Sequence, residues 1–436
     1  MVYLPHWPIP STLGNRKIDY ETVFERMQVV LEKLGNIHQK LPPIIHVTGT
    51  NGKGSAVSLI AKIFLLNGYK THIYTSPHLH HCNERIVLNG EKISDNFLFE
   101  VMEEVRIAAD QTPLTFMESF TIGAFLAFFK TPADVIIVEC GMGGRIDATN
   151  IIENKLATLI MPISFDHTEY LGNSIERIAL EKAMIMRKNT PLIVSQQMDN
   201  AKKIIKILSD DQKIKSYFYD EDFSIKINKE SGEFDLKFED QIIKNLPKPA
   251  LIGDHQYINF ATAIAAILAI PNSNFQFKTE KIKQAIKEVF WPSRLEEVKN
   301  NLNKILKNSK SKIIIDGAHN EAGAQVLSSW ILESKIKTFV ILGFSKGKCK
   351  KEFLEKFRNS AFEIIAVRVD GEPYPEESEV ISKIGKSINL EICAASNLLE
   401  AIYYVAEKSE DEECRIVICG SLHLARDVRK FGYTKA

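Results

Sequence analysis

The run Ile44-Ile45-His46-Val47-Thr48-Gly49-Thr50-Asn51-Gly52-Lys53-Gly54-Ser55 passes from a short β-branched segment into a loop with three glycines in six positions. A β-branched run bounded by glycines reads as a buried strand, and a helix is expected to open near Gly54. Backbone N–H groups at such a strand-to-helix turn cradle phosphate oxygens. Lys53 can neutralise terminal phosphates and Ser55 can reach a Mg²⁺ ion. The strict spacing G-x-x-x-x-G-K-[ST] is not met, because Val47 stands where its first glycine belongs and Gly54 separates Lys53 from Ser55. By itself the loop also suits a Gly-rich βα turn with a surface lysine.

Working outward, similar apolar runs recur at Thr71 to Thr75, Val135 to Glu139, Ala157 to Pro162 and Leu192 to Ser195, with helical stretches between them. This is the pattern of parallel strands buried on both faces of an α/β sheet. Ile258 to Ile270 is too short and too interrupted for a membrane span and reads as a buried helix, and Lys202 to Lys215 reads as a Lys-rich solvated helix. Between Phe223 and Ile243 the pattern becomes alternating and charged, predicting a small antiparallel insert that turns at Ser231-Gly232. After Trp291-Pro292 a Lys/Asn-rich stretch, Lys299 to Lys312, leads into a second series of strands at Lys312 to Ile315, Thr338 to Leu342, Ile364 to Val369 and Arg415 to Cys419, with a helix at Asn397 to Lys408. The expected fold class is α/β: a P-loop-type parallel sheet with a small β insert over residues 1–292, then a smaller Rossmann-like α/β domain over 293–436.

With 436 residues, 45% of them hydrophobic, the chain can bury large cores, and its length suits two or three domains of roughly 150 residues. Fifty-five Lys+Arg balance fifty-five Asp+Glu, so no global field draws the protein to nucleic acid or to an anionic membrane. Six cysteines without a C-x-x-C pair fit a reducing compartment, and Met1 to Pro10 lacks the layout of a signal peptide. A cytoplasmic location is expected.

Further polar clusters fall at strand ends. Glu139, closing one strand, is placed to bind Mg²⁺ and is followed by the Gly-rich run Cys140 to Asn150. The next strand ends near Asp166 and His167, putting them on the same sheet edge. Lys182 and Arg187 follow on what reads as a helix. The loop Ser76-Pro77-His78-Leu79-His80-His81-Cys82-Asn83-Glu84-Arg85 is polar and basic. Its three histidines raise transition-metal binding, but the loop lacks helical H-x-x-x-H spacing, and an ordered substrate loop is preferred. In the second series Asp316-Gly317-Ala318-His319-Asn320 is another strand-end turn, and Arg294 in Trp291-Pro292-Ser293-Arg294 sits at the junction, where it suits a phosphate contact or a linker salt bridge.

Nine motifs in order resemble the Mur-ligase superfamily, and within it the folylpolyglutamate synthase and dihydrofolate synthase branch: GTNGKGS (49–55), TSPHL (75–79), NERI (83–86), ECGMGGRIDATN (139–150), FDHTEYLG (165–172), EKAMIMR (181–187), GDHQYIN (253–259), WPSR (291–294) and DGAHN (316–320). The resemblance implies an ATP-dependent amide ligase. ATP would phosphorylate a carboxylate of dihydropteroate or a reduced folate, and L-glutamate would attack the acyl phosphate. By motif, Thr50, Asn51, Gly52, Lys53, Gly54, Ser55, Asn259, Arg294 and Asp316 would bind ATP; Ser55, Ser76, Glu139 and His167 would hold Mg²⁺ at two sites. Lys182, which matches a lysine carbamylated in the family, would act in catalysis with His167, Asp316 and His319, while Pro77, His78, Leu79 and Arg85 would form the substrate loop. Leu4 to Asn36 would contribute to a pterin pocket, closure of the two domains on substrates is expected, and so is a monomer. Two departures stand out: Ser293 replaces the glycine of the linker motif, and Phe260 follows Asn259 where a small residue is usual. Use of both acceptors is expected. The alternatives are a monofunctional dihydrofolate synthase and a catalytically silent nucleotide-binding regulator.

Overall fold

The computed structural model describes residues 20–271, 275–346, 348, 350–370, 372 and 374–431. Met1 to Pro10, Cys349 and the start of the segment expected at the pterin lie outside them. The chain divides into two compact units. One takes the residues up to Ala250 together with Gln256–Phe290; the other takes Leu251–His255 and everything from Trp291 onward.

The first unit is built on eight strands: β1 (Ile44–Thr48), β2 (Thr71–Tyr74), β3 (Ile86–Leu88), β4 (Glu91–Lys92), β5 (Val135–Glu139), β6 (Lys155–Ile160), β7 (Leu192–Val194) and β8 (Ser216–Phe218). Their spatial order is β4-β3-β2-β5-β1-β6-β7-β8. In spatial order from β2 to β8 every pairing is parallel, and at one edge β3 pairs antiparallel with both β2 and β4. β1, β5 and β6 are buried along their whole length, as expected when helices cover both faces. On one face Ile44, Tyr74, Ile136 and Val138 pack with the helices Asp95–Ala109 and Phe116–Lys130. Because β5 lies between β1 and β2, the crossover from β1 to β2 through the Lys53–Leu66 helix passes over β5 and leaves a crevice at the carboxyl ends of the central strands.

The predicted insert is a three-stranded antiparallel sheet of β9 (Phe223–Ile227), β10 (Phe234–Phe238) and β11 (Gln241–Leu246). The Lys-rich helix runs over Asp199–Asp211, so Lys213 and Lys215 lie beyond its end. The apolar segment after Asn259 belongs to a buried helix, His255–Ala269.

The second unit holds β12 (Glu296–Val298), β13 (Lys312–Ile315), β14 (Lys337–Leu342), β15 (Glu363–Val367), β16 (Ile392–Ala395) and β17 (Cys414–Cys419), in the order β12-β13-β17-β14-β15-β16. All pairings are parallel except that of β12 with β13. Apolar clusters on the two faces bury Ile313, Ile315, Ile416 and Ile418 on one side and Ile314, Val340, Leu342 and Val417 on the other. Each such side chain contributes roughly 1.5–3 kcal/mol of burial. The carboxyl ends of β13 and β17 are tied together where Gly420 N–H donates to Ala318 O at 2.7 Å.

Candidate active site

The glycine loop is shaped by its neighbours before any ligand arrives. Gly52, the residue preceding the Lys53–Leu66 helix, has φ 81°, and a Cβ there would lie 2.4 Å from Asn259 Oδ1. Only glycine meets both demands. The N–H groups of Thr50 and Asn51 both donate to Pro162 O, at 2.9 and 3.2 Å. Asn51 Nδ2 donates to Ser164 Oγ, and Thr50 Oγ1 to Ser164 O, both at 3.1 Å. The segment after β6 therefore holds the loop, and Asn259 closes it from the buried helix. Of the residues expected to bind ATP, Thr50 to Ser55 and Asn259 are gathered here; Arg294 and Asp316 belong to the second unit.

Two lysines converge on one carbonyl. Lys53 Nζ donates to Gly49 O at 3.0 Å and to Thr50 O at 3.2 Å. Lys182, at the end of the Ile175–Ala183 helix and 4% exposed, donates from Nζ to the same Gly49 O at 3.0 Å. Burial, and then the Lys53 ammonium beside it, pull Lys182 from its ordinary value down to about 7. A large fraction of its amine is therefore uncharged near neutral pH. Arg187, expected on the same helix, lies beyond its end at Ala183.

Ser55 is 1% exposed and its Oγ has no hydrogen-bond partner. An orphaned buried hydroxyl at the start of a phosphate-type loop is costly unless a ligand or metal completes it. Glu139 closes β5 and is 5% exposed. Ser76 lies across from Gly141, whose Cβ would sit 3.4 Å from both Ser76 Oγ and Asp147 Oδ2. His167 sits at φ 50°, with its N–H donating to Asp166 Oδ1 at 2.9 Å and its ring half-exposed. Among the described residues no three His, Cys, Asp or Glu are grouped to hold a metal. A hydroxyl and one carboxylate beside a phosphate cradle suit Mg²⁺, which keeps few protein ligands and completes its shell with water and substrate phosphate.

The substrate loop is ordered by Glu84. Its carboxylate accepts from the N–H groups of Leu79, His80 and His81 at 2.8, 3.2 and 3.2 Å. Arg85 donates from Nε to His78 Nδ1 at 2.9 Å and lies over the rings of Phe116 and Phe120. The Ser76–Pro77 peptide is cis.

In the second unit the Asp316 carboxylate accepts from Leu295 N–H and Ala318 N–H, both at 2.8 Å. Burial pushes its carboxyl upward, opposed by the Arg294 guanidinium. His319 Nδ1 donates to Gly317 O at 2.8 Å, because a carbonyl can only accept. Ser293 is fully buried at φ 56°, the left-handed region in which the usual glycine of this motif would carry no strain.

Sequence reasoning missed Glu84 and Asp147. Asp147 binds back onto its own loop, accepting from Met142 N–H and Thr149 N–H at 2.9 and 3.0 Å. Its signal was the Asp-x-Thr spacing of a capping residue. Glu84 falls three to five residues after the amides it gathers, a pattern too common in loops to single out.

Residues 47–267 match the Mur ligase middle domain family, and residues 298–431 match the dihydrofolate synthetase C-terminal domain. The dihydrofolate synthase/folylpolyglutamate synthase of Bacillus subtilis is 30% identical over 432 residues, covering 96% of each chain. The probable dihydrofolate synthetase of Schizosaccharomyces pombe is 29% identical, covering 93% of this chain and 97% of its own. A solved structure of E. coli FolC in complex with DHPP and ADP superposes with a TM-score of 0.84 at 25% identity, over 96% of this chain and 95% of that one. The chain belongs to the dihydrofolate synthase/folylpolyglutamate synthase family of Mur ligases.

Proposed function

We propose that the chain is an ATP-dependent ligase that joins L-glutamate to dihydropteroate and to folates already carrying glutamate, through an acyl phosphate, releasing ADP and phosphate. The observation that carries this reading is the loop in which Lys53 and the buried Lys182 share Gly49 O and the Ser55 hydroxyl is buried without a partner. The 14-residue helix starting at Lys53 presents its first N–H groups to the phosphates, and the Lys53 ammonium takes up their negative charge. By the family motifs, Asn259 in the first unit would bind ATP, and the same role falls to Arg294 and Asp316 in the second. Ser55, Ser76, Glu139 and His167 would hold Mg²⁺ at two sites, and the ion supplies charge neutralisation on the phosphates.

A free carboxylate is a poor electrophile, and its phosphorylation converts an oxide leaving group into phosphate. Glutamate's amine then attacks the acyl carbon and phosphate departs. Because Lys182 is held near neutrality it is available as the free amine, the form that adds CO₂ to give the carbamate the family resemblance implies. Residues 1–292 carry ATP and the folate loops with Pro77, His78, Leu79 and Arg85, and residues 293–436 carry the glutamate-ligase end with His319. The sparse cysteines, five of them free among the described residues, suit the reducing cytoplasmic setting proposed for it, and no described helix is long and apolar enough to cross a membrane.

Isotope transfer tests the acyl phosphate directly. With ¹⁸O in the acceptor's carboxylate, one ¹⁸O should appear in the released phosphate for each amide formed. Unlabelled phosphate would remove the intermediate. Dihydropteroate as the only acceptor would favour the monofunctional reading, which the S. pombe relative's name supports.

A further inference from the structure

The buried lysine that meets the glycine loop is held from behind by a second, separate set of residues. Lys182 lies in the last turn of the Ile175–Ala183 helix, and helix ends leave carbonyls without intrahelical partners. Here the partners come from the segment after β5, from the first residue of β6 and from Arg187 just beyond the helix. Arg145 N–H donates to Glu181 O at 2.8 Å. Asn150 Nδ2 donates to Met184 O at 3.2 Å and to Arg145 O at 3.3 Å. Lys155 Nζ donates to Ile185 O at 2.8 Å, and Arg187 Nη1 to Met184 O and Met186 O at 3.2 and 3.0 Å. Both cations also converge on Asn150 Oδ1, Lys155 at 2.9 Å and Arg187 at 3.1 Å. Gly144 permits the approach: a Cβ there would lie 2.7 Å from Glu181 O and 2.9 Å from Lys182 O.

Lys155 is buried and makes its hydrogen bonds to Asn150 Oδ1 and Ile185 O, neither of which is charged. Burying an ammonium is expensive, so burial pulls the Lys155 amine down to about 7, and with or without its extra proton Nζ can donate to the carbonyls left open beyond the helix. Asn150, itself buried, is the hub, accepting from two cations through Oδ1 and donating through Nδ2 to the two backbone segments. We infer that Asn150, with Lys155 and Arg187, is a positioning residue for the ligation step: it fixes the backbone of the Lys182 turn so that the amine reaches Gly49 O and the phosphate loop. The inference rests on the role given to Lys182 above.

Asn150→Asp separates positioning from general stability. The carboxylate still accepts from Lys155 and Arg187, so both donors keep their acceptor, but it cannot donate to Met184 O or Arg145 O and instead faces both oxygens. The Lys182 turn then shifts while the core stays intact. A shift on the order of 1 Å near the chemistry costs up to about 100-fold. The expected result is a fall in kcat of roughly 10- to 100-fold, with KM for ATP and the thermal midpoint essentially unchanged. Lys155→Met, which removes the donor to Ile185 O, should show the same fall in kcat with KM for ATP unchanged, and serves if Asn150→Asp does not fold. Lys182→Ala is measured alongside. If Lys182→Ala turns over normally, the role of Lys182 is wrong and the inference goes with it. If Lys182→Ala is inactive while Asn150→Asp keeps full kcat, positioning alone is overturned. Equal losses of kcat, ATP affinity and thermal midpoint in Asn150→Asp would mark plain loosening, and also overturn it.

Discussion

Replacing Ser293 by glycine should make the second unit more stable. Ser293 holds φ 56° with a fully buried side chain whose Oγ has no partner. Its backbone bonds do not involve that side chain: its N–H donates to Glu296 Oε2 at 2.8 Å, and its carbonyl accepts from Gly317 N–H at 2.9 Å and from Arg294 Nη1 at 2.8 Å. A glycine keeps all three. Left-handed backbone costs an ordinary residue about 1–2 kcal/mol, and a buried unpaired hydroxyl costs about 1–3 kcal/mol. Against these stands about 0.5–1 kcal/mol for the extra freedom glycine loses on folding. The net gain is about 2 kcal/mol, or roughly 4–8 °C for a unit of this size. Two units need not unfold together, so the probe must be local. Trp291 and Trp330 both lie in the second unit, whereas Trp7 lies outside the described residues, so tryptophan emission during urea unfolding is a suitable assay. Ser293→Ala, which removes Oγ but keeps a Cβ at positive φ, should fall between the two. A Ser293→Gly protein no more stable than the parent would refute the strain argument.

Other perturbations probe the loop and its surroundings. Gly52→Ala combines about 1–2 kcal/mol of left-handed strain with a Cβ 2.4 Å from Asn259 Oδ1; calorimetric titration should show ATP binding weakened at least about tenfold, and unchanged affinity would contradict the close approach. Glu139→Gln should raise the Mg²⁺ concentration needed for half-maximal rate by about tenfold or more, and an unchanged Mg²⁺ requirement would remove Glu139 from the metal set. Lys155 is pulled down to about 7, chiefly by burial and then by Arg187, so between that pH and its ordinary value of 10.5 the unfolded chain binds more protons than the folded one. Stability from this group therefore rises with pH across that window. In Lys155→Met the rise of the thermal midpoint from pH 7.5 to 10 should be shallower, by about the share of one titrating group, and a parallel curve would show that Lys155 is not held neutral.

The strands were legible where burial on both faces makes a continuous apolar run, as in Ile44–Thr48, Val135–Glu139 and Lys312–Ile315. Those at the margins were not. Glu91–Lys92 is exposed and Glu296–Val298 carries two glutamates, so neither shows an apolar period, and their pairing is set by the strand beside them. The phosphate loop was readable because glycine, lysine and serine each do separate work there. Lys182 was readable only through its motif: a single helical lysine says nothing of burial, and its contact with Gly49 O spans 133 residues. Asn150 and Lys155 were invisible as a pair for the same reason, since their partners are carbonyls of a distant helix end, and backbone oxygens leave no trace in sequence. The left-handed backbone at Ser293 shows the converse case: the departure from the motif was visible, but only the fold gives it a sign.

The central claim is glutamate ligation driven by ATP with both pteroate and folate acceptors. Phosphate release should be measured with purified protein, Mg²⁺-ATP and L-glutamate, in parallel with dihydropteroate and with tetrahydrofolate. Glutamate-dependent release with both acceptors is the predicted result. Release with neither, while ATP still binds, would contradict the account.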